Sequence, residues 1–186
     1  DADGTLNMAI YARGAAGYRI YVDLDIENCF PVLLEYLCAK HNINAPKLVE
    51  YNAKRDECIG EIIEHYQPKS PDQRKAVKAL FSAGYNGAGN DFISKWREEH
   101  SVHTNVVEHP FIVEFFRQNS AIAQKLVVEY YKDVLDDVKL AMPHKDRPIQ
   151  TALHCVLARM ETECRDIMER VANDQEISPK LKVVMD

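Results

Sequence analysis

The stretch Tyr18-Arg-Ile-Tyr-Val-Asp-Leu-Asp25 decides the predicted fold class. Apolar and polar residues alternate along it, which is the period-two pattern of a half-buried strand. One predicted face carries the apolar residues Ile20, Val22 and Leu24, and the other carries Tyr21, Asp23 and Asp25. A second β-type run, Lys182-Val-Val-Met-Asp186, stands at the end of the sequence. These two runs predict a small sheet.

Helical spacing dominates the rest of the sequence. Proline suits the first position of a helix, and several predicted helices begin at or directly after a proline. The predicted helices are Pro31 to His41, Pro46 to His65, Pro71 to Ala83, Asp91 to Glu99, Pro110 to Leu135 with a break near Asn119-Ser120, and Ile149 to Ala172. For the third, Ser70 is the predicted N-cap and Gln73 the capping-box partner. We therefore predict an α+β fold that is predominantly α-helical with a small antiparallel sheet.

Length and composition set the class of protein. A chain of 186 residues fits one domain, residues 1–186, and we expect it to be incomplete at both ends because it starts without methionine and stops at a β-type run. The five cysteines are widely spaced and form no C-x-x-C, which predicts a reducing compartment, cytoplasmic or nuclear. The sequence lacks a long apolar run and a signal-peptide pattern, so we expect no membrane association. A net charge of −6 means that nucleic-acid binding would need local basic patches.

Three acidic residues end the predicted strand. Asp23 and Asp25 share one face, and Glu27 follows just past the strand end. Carboxylates in such a place commonly hold magnesium ions that bind substrate phosphates. The alternative is a solvated strand face that runs into a turn.

The same segment carries a resemblance to a known family. The run Asp25-Ile-Glu-Asn-Cys-Phe-Pro31 resembles the first palm motif of family B DNA polymerases, D-x-x-S-L-Y-P. Asn28 stands in place of the serine and Phe30 in place of the tyrosine. The resemblance implies that Asp25 binds the catalytic metal ions and that Phe30 lies under the sugar of the nucleotide, where it could exclude a 2′-hydroxyl.

A second match lies on the capped helix. The segment from Arg74 through Lys78 and Tyr85 to Gly87 resembles the fingers helix of family A and B polymerases. One helical turn separates the two cations, so both can project from one face toward a triphosphate. Tyr85 has the family B spacing, but Asn86 follows it and the family's glycine comes one residue late. The alternative is an ordinary basic, solvated helix face.

The third match is the terminal run that ends at Asp186, which resembles the start of the last palm motif. Gln150 is similar to a family A glutamine near the primer terminus. The resemblance implies that the strands ending at Asp25 and Asp186 pair antiparallel, so that these carboxylates, with Asp23 nearby, bind Mg²⁺. The three matches, in this order, imply a palm and fingers region of a viral or mobile-element DNA replication protein.

The resemblance implies a magnesium-dependent nucleotidyltransferase, similar to DNA polymerases, that adds nucleotides to a nucleic-acid 3′ end. Its partners would be nucleic acid, deoxynucleoside triphosphate and the remainder of a larger replication protein. Two alternatives stay open. One is a metal-dependent nuclease or phosphatase that uses the Asp23, Asp25 and Glu27 cluster, and the other is a non-catalytic helical interaction module.

Overall fold

The computed structural model describes residues 8–14, 20–26 and 28–173, with side chains for residues 28–171. The described residues form two strands and eight helices. None of these helices is long and apolar enough to cross a lipid bilayer. The elements are β1 (Met8–Gly14), β2 (Ile20–Ile26), α1 (Cys29–Lys40), α2 (Pro46–Ala53), α3 (Arg55–Tyr66), α4 (Gln73–Tyr85), α5 (Asp91–Glu99), α6 (Pro110–Glu129), α7 (Lys132–Ala141) and α8 (Pro148–Asn173).

The chain divides into two compact units. One unit takes in the residues up to Cys29 together with those from Arg159 onward. In it, β1 and β2 form an antiparallel hairpin in which Met8 lies opposite Ile26 and Gly14 lies opposite Ile20. The other unit is Phe30–Ala158, and it is built from helices.

The predicted predominance of helices is confirmed, but the predicted α+β fold with a small antiparallel sheet is wrong, because the core of the described residues is built from helices. Each helix of Phe30–Ala158 packs its apolar side against other helices, and no strand contributes to this unit. The two described strands pair only with each other. A two-stranded hairpin is at most marginally stable by itself and offers little surface on which helices could pack. Helix-to-helix packing therefore sets the fold class, and the palm-like sheet is not observed among the described residues.

The core of the helical unit lies around α4 and α6. Helix α4 packs against α3, α5 and α6, and α6 also packs against α2 and α7. Tyr51, Phe81 and Phe115 meet at the centre with ring-centroid separations of 4.5–5.3 Å. Aromatic pairs at such distances contribute on the order of 1 kcal/mol beyond the burial of their area. Trp96 joins α5 to α4, because its indole N–H donates to the carbonyl of Ala76 at 3.0 Å.

Two helix breaks differ from the prediction. The single helix predicted from Pro46 to His65 is two helices, and Lys54 separates them with φ −132° and ψ 35°. The predicted break near Asn119-Ser120 is wrong, since α6 runs through it. The break comes at Tyr130 and Tyr131, and both residues pack against His41 with ring-centroid separations of 3.9 and 6.1 Å. This helix break therefore coincides with contacts to His41, a residue distant in the sequence, and no glycine or proline occurs there.

The start of α4 also differs from the prediction. Asp72, and not Ser70, is the N-cap residue, and its carboxylate accepts the backbone N–H of Lys75 at 2.8 Å. The hydroxyl of Ser70 donates to the carbonyl of Asp72, and the side-chain amide of Gln73 donates to the carbonyl of Pro68. Ser70 and Gln73 thus shape the preceding turn, and the carboxylate supplies the cap.

Candidate functional site

Two of the candidate metal ligands lie at the N-terminal hairpin. Asp23 and Asp25 are on β2, where their backbone partners on β1 are Tyr11 and Ala9. A strand has two edges, and β1 occupies one of them. The predicted partner strand ending at Asp186 and the residue Glu27 lie outside the described residues, as do the side chains of Asp23 and Asp25. Among the described side chains, no group of three or more His, Cys, Asp or Glu could hold a metal ion.

The junction between β2 and α1 contains Asn28. Its φ is 55°, in the left-handed region, which asparagine tolerates better than most residues because its short side chain can bond locally. The chain then enters α1 at Cys29, and Pro31 is buried. Asn28 therefore suits the turn between the strand and the helix. A serine, which the family B motif has here, would adopt this conformation less readily.

Phe30 lies at the start of the helical unit and contacts α8. Its ring meets the ring of His154 edge-on, with a centroid separation of 5.3 Å and an interplanar angle of 62°. Phe30 is half-buried and His154 is exposed. A half-buried ring of this kind leaves part of one side accessible to a ligand. The contact also fixes the first turn of α1 against α8.

The two predicted triphosphate cations differ in their surroundings. The guanidinium of Arg74 forms an ion pair with Asp56 on α3, and the two side chains are 47% and 76% exposed. Exposed pairs of this kind contribute about 0–1 kcal/mol, so a ligand phosphate could compete for the arginine. Lys78, one turn later, is half-buried and has no ion pair or hydrogen bond within the described part of the chain.

The end of α4 is held tightly against its neighbours. A Cβ at Gly84 would lie 2.7 Å from a ring carbon of Phe115. Tyr85, the last residue of α4, is half-buried. The side-chain amide of Asn86 then donates to the carbonyl of Ser82 at 2.8 Å. This amide bonds the last turn of the helix, and the chain turns at the next residue.

Gly87 makes that turn, one residue later than the family pattern has it. Its φ is +80°, and a Cβ there would lie 2.6 Å from the Cβ of Ala123 on α6. The carbonyl of Gly87 accepts a hydrogen bond from the side-chain amide of Gln150 at 3.1 Å. Glycine is thus required both by the left-handed conformation and by the close approach of α6.

Three of the sequence-predicted segments meet along one helix. Gln150 and His154 are one turn apart on α8 and lie on the same side of it. Gln150 bonds the loop after α4, and His154 contacts Phe30. The segments that contain Phe30, Gly87 and Gln150 are therefore brought together, although they are far apart in the sequence. Arg74 and Lys78 lie on the same helix as Tyr85, toward its other end.

His154 and the Arg147–Asp91 ion pair were not predicted as parts of this region. Arg147 donates to Asp91 at 2.8 Å and ties the start of α5 to the segment just before α8. The spacing of His154 from Gln150, four residues on a helix, is the signal that could have identified it. No sequence pattern marks the ion pair, since its members are 56 residues apart.

The buried thiols are unsuited to nucleophilic chemistry. Burial, with a smaller effect of Glu35, raises the pKa of Cys38 to about 12. Burial and the nearby Glu61 raise the pKa of Cys58 to about 11. Both thiols are therefore protonated at neutral pH, and the thiolate is the reactive form.

Comparisons with protein-family models, curated proteins and solved structures find no match for this chain.

Proposed function

We propose that the protein is a magnesium-dependent nucleotidyltransferase, similar to DNA polymerases, that adds deoxynucleotides to a nucleic-acid 3′ end. The observation that carries the proposal is the meeting of three candidate segments along α8. Gln150 bonds the carbonyl of Gly87, and His154 contacts Phe30 one turn away. Residues proposed for the sugar, the end of the fingers-like helix and the primer terminus are expected to lie close together in such an enzyme.

The candidate side chains would bind different parts of the substrates. Phe30 would pack under the sugar of the incoming nucleotide, and Gln150 would lie near the primer terminus. Lys78 would meet the triphosphate, and Arg74 would join it by exchanging Asp56 for a phosphate. That exchange costs little because the Arg74–Asp56 pair is largely exposed.

The metal would be held by Asp25 and Asp186, with Asp23 nearby. Bound magnesium would favour deprotonation of the attacking hydroxyl and neutralise charge on the pyrophosphate. Carboxylate oxygens are the ligands that magnesium prefers in proteins. The positively charged and aromatic side chains would position the nucleotide for the reaction.

The test is a titration of the full chain with fluorescently labelled deoxynucleoside triphosphate, with and without magnesium. Lys78→Ala should weaken binding about tenfold or more, because a charge-assisted hydrogen bond contributes roughly 1.5–3 kcal/mol. Asp25→Asn should abolish the magnesium dependence and leave the circular-dichroism spectrum unchanged. Lys125→Ala is the control, since Lys125 is an exposed lysine on α6, outside the proposed site.

Two results would contradict the proposal. The first is magnesium-independent binding that is equal in the parent, Lys78→Ala and Asp25→Asn. The second is an equal loss in Lys78→Ala and Lys125→Ala, which would mean that only general surface charge is measured.

A non-catalytic helical interaction module is the second candidate. Arg74 is already paired with Asp56. Two large apolar side chains are highly exposed to solvent, Leu140 at 84% and Val107 at 77%. Exposed apolar side chains are a feature of protein-binding surfaces when they cluster. Absence of nucleotide binding by the parent would favour this candidate.

A further inference from the structure

A concave surface lies at the C-terminal end of α5. The cavity has a volume of about 430 Å³ and lies between the segment before α4 and the residues that follow α5. We call it the α5 cavity; its lining includes Lys69, Ser94, Arg97, Ser101, His103 and Thr104. A cavity of roughly 300–1,000 Å³ is of the size that holds small-molecule ligands.

The charge of the α5 cavity is opposite to that of the whole chain. The net charge of the protein is −6, yet Lys69, Arg97 and His103 line the cavity and Glu98 is its one acidic residue. Neither Lys69 nor Arg97 forms an ion pair with a carboxylate of the described residues. Two cations that share a cavity and form no ion pair with a carboxylate of the described residues favour an anionic ligand.

Arg97 is held in place before any ligand binds. Its Nη2 atom donates to the carbonyls of Val106 and His103, and the guanidinium lies 5.8 Å from the centre of the Tyr66 ring. These contacts leave Nε and Nη1 to donate elsewhere. A guanidinium fixed in this way can donate a charge-assisted hydrogen bond to a phosphate from Nη1 or Nε with little loss of side-chain freedom.

The C-terminal end of α5 repels an anion less than an uncapped helix end would. The C-terminal end of a helix carries partial negative charge on its free carbonyls. Here the carbonyls of residues 96–98 accept backbone N–H groups of residues 100–102 at 2.9–3.1 Å. The carbonyl of His100 accepts the N–H of Lys69 at 2.8 Å. Ser101, with φ 49°, is the left-handed residue that lets the chain turn back to make these bonds.

The remaining lining groups indicate which anion fits. Ser94, Ser101 and Thr104 supply hydroxyl groups that can donate to anionic oxygens. The carboxylate of Glu98 repels a fully deprotonated anion such as sulfate, but it can accept a hydrogen bond from an anion that keeps a proton. A phosphate that retains one P–OH group satisfies both kinds of neighbour.

We propose that the α5 cavity is a binding site for inorganic phosphate, or for the monoanionic phosphate group, which keeps one P–OH, of a small phosphomonoester. Lys69 and Arg97 neutralise the charge, the hydroxyl groups complete the contacts, and Glu98 selects the protonated phosphate over sulfate. The site needs neither magnesium nor Asp25, so it is independent of the nucleotidyltransferase proposal.

The experiment is a ¹H–¹⁵N NMR titration of the full chain with inorganic phosphate, without magnesium and at constant ionic strength. Saturable shifts should appear at the amides of residues 69 and 101–104. Lys69→Gln should weaken binding about tenfold, as expected for loss of one charge-assisted hydrogen bond. Lys69 is exposed and only its backbone N–H is bonded, so this variant should fold as the parent does.

Two further variants sharpen the result. Lys95→Gln is the matched control, because Lys95 is on α5 but pairs with Asp91 and does not line the cavity. This variant should bind phosphate with the same affinity as the parent. Glu98→Gln should bring the affinities for sulfate and phosphate closer together. Glycerol phosphate in place of inorganic phosphate distinguishes a monoester site from a site for the free ion.

The inference is overturned by any of three results: shifts that do not saturate, equal binding by the parent and Lys69→Gln, or an equal loss in Lys69→Gln and Lys95→Gln.

Discussion

Replacing Gly87 by alanine tests whether the loop after α4 has the geometry described. The residue has φ +80°, and the new Cβ would lie 2.6 Å from the Cβ of Ala123. The left-handed conformation costs a residue with a side chain about 1–2 kcal/mol. Overpacking by one methyl group costs about 1–3 kcal/mol. Since the two costs have separate causes, the free energy of unfolding should fall by roughly 2–5 kcal/mol.

Gly60→Ala is the matched control, because it makes the same change at an exposed position of α3. Apart from its chain neighbours and the backbone of its own helix, no heavy atom lies within 4 Å of a Cβ built there, and φ is not positive. Alanine is more favourable than glycine inside a helix by about 0.8–1.0 kcal/mol, so this variant should gain stability.

Urea denaturation of both variants, followed by fluorescence, supplies the measurement. Trp96 is the single tryptophan of the chain and is 2% exposed, so its emission reports on the core. The midpoint should move down for Gly87→Ala and up for Gly60→Ala at an unchanged slope. A loss of less than about 1 kcal/mol in Gly87→Ala would mean that the loop relaxes easily, and the reasoning from its geometry would be refuted.

Three of the five helix starts that proline marks could be predicted from the sequence, whereas α1 begins at Cys29 and not at Pro31, and α4 begins at Gln73 and not at Pro71. Pro46, Pro110 and Pro148 each open a helix, as predicted. The signal is local, because proline presets φ and lacks the N–H group that the first turn would leave unpaired. The predicted helix from Asp91 to Glu99 is also confirmed.

The helix breaks and the fold class could not be predicted in this way. Lys54 and Tyr130 end helices without any residue that disfavours a helix. Such ends depend on packing with distant residues, as in the contact between Tyr130 and His41. The sheet of the predicted fold class was inferred from one alternating stretch and one β-type run, but the number of helices that bury apolar surface against each other decides the fold class.

In the candidate site, too, local features could be predicted from the sequence, whereas contacts between distant residues could not. Sequence spacing correctly places Arg74 and Lys78 one turn apart on a helix, because both lie within α4. It could not predict that Asp56 pairs with Arg74, or that Gln150 bonds a carbonyl 63 residues away. The late glycine appeared as a departure from the family pattern, and its position follows from the close approach of Ala123.

Two further changes test the core and its response to pH. Trp96→Phe should lower the free energy of unfolding by about 1–3 kcal/mol, because the buried carbonyl of Ala76 loses its indole donor; equal urea midpoints followed by circular dichroism would contradict this. Burial, with a smaller effect of the neighbouring His65, lowers the pKa of His109 below its ordinary value of 6.5. The unfolded chain therefore binds the proton more readily than the folded chain, so stability should fall as pH drops below 6.5 and level off below the folded pKa. His109→Gln removes this group and should flatten that part of the profile, measured as urea midpoints between about pH 8 and pH 5. The difference between the two profiles isolates His109 from Glu61 and other titrating groups, and identical slopes in parent and variant would show that its burial does not couple to folding.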